Sequence, residues 1–313
     1  MNSQRIYKSF IALMLLCFAT GTKAQWQLNN VPKAFDSIPA KPVSFSFKSK
    51  IKLPTGGHLQ GIVGSENQYR HHFLITGSSD SYSYYIKAES QGQGEDIEII
   101  KIADSPFRHA GGCQYNLSWL FVGVEDNVAK NHSKVLRLPL YPTTVIDVVA
   151  TRNNTYKRST AGAVGATSIH DFYTGRLRQL VAVGDWDTRN IDFYFGDQYD
   201  GFDSVGTCVV PDNGNSCSYQ SINLLQDTAN HIYMIGMGKQ GRLSRADLYL
   251  VENYTLSLVS TRLFKTTHGC SFRYAAGIRL FDSNKLWIYT SQRKLKKNNK
   301  VNVFGLEAEK HVY

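Results

Sequence analysis

Five segments of this chain open alike, at residues 58, 109, 160, 219 and 274, and their spacings of 51, 51, 59 and 55 residues constrain the fold more than any other feature. Each opens on a polar or aromatic residue (His58, His109, Thr160, Tyr219 or Tyr274), and small residues mostly follow. An apolar run comes next, at 73–77, 120–123, 180–184, 232–236 and 286–290. Beyond a polar loop lies a third run, at 84–87, 135–138, 191–195, 247–251 and 301–304. A fourth run completes the first four units, at 97–102, 145–149, 206–210 and 256–261. The last unit has none after it, but an unclaimed alternating run at 43–51 can supply it from the other end of the chain.

The runs alternate with period two and helical periodicity is nearly absent, so they read as strands. Four strands per repeat of about 50 residues, five times over, predict an all-β, five-bladed β-propeller of four-stranded antiparallel blades, closed by the N-terminal strand in the last blade. Such a swap removes exposed sheet edges. Small residues suit the innermost strands, which crowd one axis. A β-sandwich pair would leave the spacing unexplained. With 42% hydrophobic, 12% aromatic and 19% charged residues, the composition excludes a disordered chain. The expected organisation is a leader over 1–24 and a single propeller domain over 25–313.

The leader reading rests on Arg5 and Lys8, an apolar run over 10–19, and a small-residue cleavage site at Thr22 and Ala24. That is the pattern of a secretory signal peptide. Its run is too short to span a bilayer, and no later stretch approaches the length of a transmembrane helix. The expected location is secreted or periplasmic. Loss of Arg5, Lys8 and Lys23, with no acid, takes the formal charge from +10 to +7. Four cysteines remain, Cys113, Cys208, Cys217 and Cys270, an even count that suggests two disulfides in an exported protein. Cys208 and Cys217 bracket what looks like a hairpin loop, which would leave Cys113 for Cys270. Buried free thiols are the other reading. No CxxC or HxxxH spacing points to zinc.

The opening with His109, Gly111 and Gly112, and the turn with Val124, Glu125 and Asp126, resemble those of secreted bacterial five-bladed β-propeller proteins. The resemblance spans most of the chain after residue 25. It implies a fold and no settled activity. The calcium-rich acidic pattern of propeller phytases is absent.

In a propeller the start of each innermost strand shares a face with the loop between second and third strands. That places His58, His109, Thr160, Tyr219 and Tyr274 near the axis. Asp80, Glu125, Asp126, Asp185 and Asp187 surround them from the first three blades; Lys239, Arg242, Arg245, Arg293, Lys294, Lys296 and Lys297 come from the last two. His58 and His109 occupy equivalent positions on adjacent blades. They could bind a metal with Glu125 or Asp80, act as acid and base on a ligand, or bond the neighbouring blade's backbone and close the ring. Carboxylates after successive second strands, Asp80, Glu125 and Asp185, are the residue type that cleaves glycosidic bonds in pairs, although acids also favour turns. Trp186 lies in a polar turn where an indole has no obvious burial.

The expected function is binding of a polar ligand, a glycan or cell-surface molecule, on the axial face, with Gln60, Trp186, Tyr219 and Tyr274 as ligand contacts. The alternative is a hydrolase of a glycoside or phosphoester, possible with metal assistance, using His58, His109, Glu125 and Asp185. Arg293, Lys294, Lys296 and Lys297 form a basic loop suited to an anionic surface. No nucleic-acid motif is present.

Overall fold

The computed structural model describes residues 27–66, 71–90, 97–139, 147–171, 173–212 and 218–306. Residues 1–24, the expected leader, lie outside them. The chain is all-β, with one helix of six residues among the described residues. None of its described helices is long and apolar enough to cross a membrane.

The strand ladders form three sheets of five, eight and eight strands. Each eight-stranded sheet consists of two antiparallel four-strand meanders joined at a single parallel bridge. In the first, β3 (His58–Glu66), β4 (His71–Ser78), β5 (Tyr82–Glu89) and β6 (Glu98–Asp104) form one meander. The other meander in that sheet is β19 (Cys270–Asp282), β20 (Lys285–Gln292), β21 (Asn298–Phe304) and β2 (Val43–Lys48). Strand β2 pairs antiparallel with β21, from Val43 against Val303 to Lys48 against Asn298, so the N-terminal ribbon does complete the last unit.

The second eight-stranded sheet joins β7 (His109–Asn116), β8 (Trp119–Glu125), β9 (His132–Pro139) and β10 (Asp147–Asn153) to β11 (Ala163–His170), β12 (Leu177–Gly184), β13 (Asn190–Asp197) and β14 (Gly201–Val209). The third sheet contains β15 (Ser221–Asp227), β16 (Ile232–Gln240), β17 (Leu243–Glu252) and β18 (Thr255–Phe264). A two-residue strand, β1 (Gln27–Leu28), adds to β15 in parallel.

The first strands meet in a closed order, β3 to β7, β11, β15, β19 and back to β3. Small residues permit this. The parallel bridges pair Gly61 with Ala276 and Gly112 with Ala163. A Cβ on Gly112 would stand 2.5 Å from the Gln220 carbonyl oxygen, and one on Gly277 only 1.8 Å from that of Ile62. Gly277→Ala is therefore expected to cost roughly 3 kcal/mol, the upper end for an overpacked core, read as a lower denaturation midpoint. An unchanged midpoint would show that β19 and β3 are not pressed together.

The core lies between meanders. Phe264, Phe272 and Phe304 pack with ring centroids 4.9–5.8 Å apart and join the last two units. Helix α1 (Val31–Asp36) buries Val31, Ala34 and Phe35 in the same cluster. Asn30 caps its start by accepting the Lys33 N–H, and Arg262 donates to the Phe35 and Ile38 carbonyls at its end. Tyr84, Tyr85 and Trp287 are buried packing residues.

The disulfide expectation needs correction. Cys113 and Cys270 are both buried free thiols. Cys113 lies on β7 beside Gly61, which pairs with Ala276 of β19, whereas Cys270 opens β19 six residues earlier and donates to the Lys300 carbonyl on β21, so the two thiols have different neighbours. Burial pushes both thiols up to about 12. Cys208 has no disulfide partner among the described residues; the proposed one, Cys217, lies outside them.

Candidate active site on the axial face

The ladders place the first-strand starts beside the second-strand ends. His109 opposes Glu125 and His58 opposes Ser78. These equivalent registers bring the two imidazoles to a ring-centroid distance of 6.2 Å. Trp186, from the β12–β13 turn, lies 6.0 Å from His109 on a half-buried ring. Lys130 Nζ sits 4.1 Å from the Trp186 ring centroid, close enough for a cation–π contact. Three units thus contribute to one row: His58, His109, Trp186 and Lys130.

Glu125 lies beneath this row and is fully buried. Its Oε2 accepts the Ala161 N–H at 2.8 Å, tying the second unit to the start of the third. Its Oε1 lies 2.9 Å from His109 Nδ1. The approach is off the line of a hydrogen bond, since neither atom has an aligned partner. A small rotation of the ring would align it, as often happens when a site fills. The His109 side chain is 13% exposed.

His58 differs. Its Nδ1 contacts the Gly56 carbonyl at 3.2 Å. Burial pulls its pKa below the ordinary 6.5, aided by His109 and Arg293, against the opposing Gly56 contact and Asp80. The fifth unit reaches this point as well: the Arg293 carbonyl accepts the Leu59 N–H at 2.7 Å, and its guanidinium stands 5.8 Å from the Tyr274 ring. Gln60 and Tyr274 are half-buried.

Several other candidates are committed elsewhere. Asp185 accepts the Arg189 N–H at 2.8 Å and the Asn190 side-chain amide at 2.5 Å, closing its own turn. Asp126 likewise accepts the Val128 and Ala129 N–H groups. Asp187 pairs with Lys157 at 3.1 Å. Thr160 is buried and donates to the Lys157 carbonyl. Tyr219 lies under Gly236 rather than at the axial mouth, donating to Asp247 at 2.6 Å. Arg293, Lys294, Lys296 and Lys297 are exposed between β20 and β21. Among the described residues, no group of three or more His, Cys, Asp or Glu side chains stands close enough to hold a metal ion.

Sequence reasoning missed Lys130 and the Ala161 N–H. Lys130 belongs to the loop between second and third strands that already carried Asp126, so its position could have been read from the repeat. The backbone donor leaves no mark in side-chain chemistry.

No protein-family model matches the chain, and no curated protein matches it. Among solved structures, a fructofuranosidase from Schwanniomyces occidentalis complexed with fructosylnystose aligns at TM-score 0.47 and 8% identity, over 84% of this chain and 58% of that one. A GH32 β-fructofuranosidase from Bombyx mori aligns at 0.47 and 9%, over 87% and 64%. A GH43_1 enzyme from Xanthomonas citri complexed with xylose aligns at 0.45 and 8%, over 84% and 90%. At these scores and identities the likenesses assign no chemistry to this chain.

Proposed function

We propose that this chain is an exported five-bladed β-propeller whose axial face takes a polar ligand, a glycan or other cell-surface molecule, and hydrolyses it. The observation that carries this reading is the buried Glu125 carboxylate set 2.9 Å from His109 Nδ1, with a second imidazole 6.2 Å away on the next unit. A carboxylate that orients an imidazole is a recurring acid–base device. Two titratable groups in contrasting environments divide acid and base roles. His58, kept neutral by burial, takes a proton from water. The resulting hydroxide attacks, the bond to the leaving oxygen breaks, and protonated His109 gives its Nε2 proton to that oxygen. The half-buried Trp186 ring offers an apolar face for a sugar-like ring, and Gln60 and Tyr274 supply polar contacts at the edge.

The pH profile tests the role of His58. Its base form is present above its pKa and lost as pH falls through it. Because burial lowers that pKa, the acid limb of kcat/KM is expected below 6.5. His58→Gln should remove that limb; a limb that persists in the variant would reassign it.

A second reading, binding without turnover, draws on the commitment of Asp126 and Asp185 to their own turns, which takes two carboxylates out of the set that could pair with Glu125. In that case His109→Ala would alter affinity and no rate would exist to lose. Screening the purified protein against glycosides and phosphoesters, with His109→Ala as control, separates the two.

A further inference from the structure

At the opposite end of the first strands, away from His58 and His109, the axis opens into a cavity of about 290 Å³. Gln114, Asn116, Thr167, Leu224, Ile278 and Arg279 are among the residues that line it. Its polar floor is built. Gln114 Oε1 accepts the Ala166 N–H at 2.9 Å and the Leu224 N–H at 2.7 Å, while its amide donates to the Leu224 carbonyl at 2.8 Å. Asn116 accepts the Ser168 hydroxyl at 2.5 Å.

Arg279, half-buried, is the one cation among the residues that line it. Its Nη1 is buried and has no hydrogen-bond partner among the described residues, and no carboxylate lines the cavity. A guanidinium fork matches a carboxylate with two parallel bonds. The volume lies at the small end of ligand cavities. The remaining lining mixes amide, hydroxyl and aliphatic groups, which suits a polyol ring with one apolar face.

We infer that this cavity binds a small carboxylate of monosaccharide size, a sugar acid, with its carboxylate on Arg279. The inference does not rest on the hydrolase reading. Calorimetric titration of the full chain with glucuronate and galacturonate tests it, with glucose, galactose and inorganic phosphate as comparison probes. At least one uronate should bind, its neutral hexose at least tenfold more weakly. Arg279→Gln should weaken uronate binding at least tenfold, and His109→Ala should leave it unchanged. If Arg279→Gln does not fold, Arg279→Lys, which keeps the charge and loses the fork, should still weaken binding. No uronate binding, equal binding of the neutral hexose, or binding unaffected by either Arg279 change would overturn the assignment. Phosphate binding in place of uronate would overturn it in favour of a general anion site. Loss of uronate binding in His109→Ala would move the ligand to the other face and overturn it too.

Discussion

Asp247→Ala is expected to lower the unfolding free energy by about 3–5 kcal/mol, the cost of leaving a buried charge without its partner. Asp247 is fully buried, and Arg245 is 4% exposed. Arg245 Nε donates to both carboxylate oxygens at 2.9 Å; Thr261 donates to one oxygen at 2.6 Å and Tyr219 to the other at 2.6 Å. Tyr219 also shares a 2.7 Å hydrogen bond with Tyr249. Burial, with Asp247 beside it, keeps the Tyr219 hydroxyl protonated far above the usual range. Removing the carboxylate strips four contacts at once. Asp247→Asn should recover only part of the loss, because the amide keeps shape but not charge. Urea denaturation with an unchanged m-value is the appropriate measurement; a loss below about 1 kcal/mol would mean that the network is solvated.

The second large effect is on turnover. Glu125→Gln keeps an oxygen for the Ala161 N–H and removes the charge facing His109. It is expected to reduce kcat by about 10²–10⁴, the range for losing a positioned acid–base group, with KM little changed. His109→Ala should fall in the same range, and the double variant should lose little more, because the two residues act as a unit. Full additivity would show that Glu125 supports the unit boundary rather than the imidazole. The change in thermal midpoint distinguishes these cases: the positioning role predicts a large rate loss with a small shift.

Much of the architecture was legible because it rests on periodic features. Alternation marked the strands, and spacing marked the unclaimed run that became β2, observed over Val43–Lys48 within the expected 43–51. Helix α1 was not foreseen, although Asn30 and Pro32 carry a start signal. Strand β1 has only two residues and no pattern to read.

The site was legible only where the repeat holds register. His58 and His109 open their strands, so their proximity followed from the spacing. Tyr219 precedes β15, which begins at Ser221, and its side chain drops under Gly236 instead. Thr160 precedes β11, and Tyr274 falls within β19. A one- or two-residue offset changes the face on which a side chain emerges, and sequence similarity among short openings does not resolve it. The cysteines failed on position: count and compartment predict pairing, but Cys270 lies six residues before Ala276, the β19 residue level with Gly61 and Cys113. The axial cavity around Arg279 is assembled from the far ends of several first strands, which no local motif reports.

In the proposed reaction His109, backed by Glu125, performs acid–base chemistry on a polar ligand at the axial mouth. The most direct measurement is product release from a panel of glycosides and phosphoesters by the purified chain, compared with its His109→Ala and Glu125→Gln variants at matched folded concentration. Cleavage of at least one class by the parent chain is expected, with a loss of about 10²–10⁴ in both variants. Ligand binding at the His58–Trp186 face with no turnover, or turnover that survives both substitutions, would contradict it.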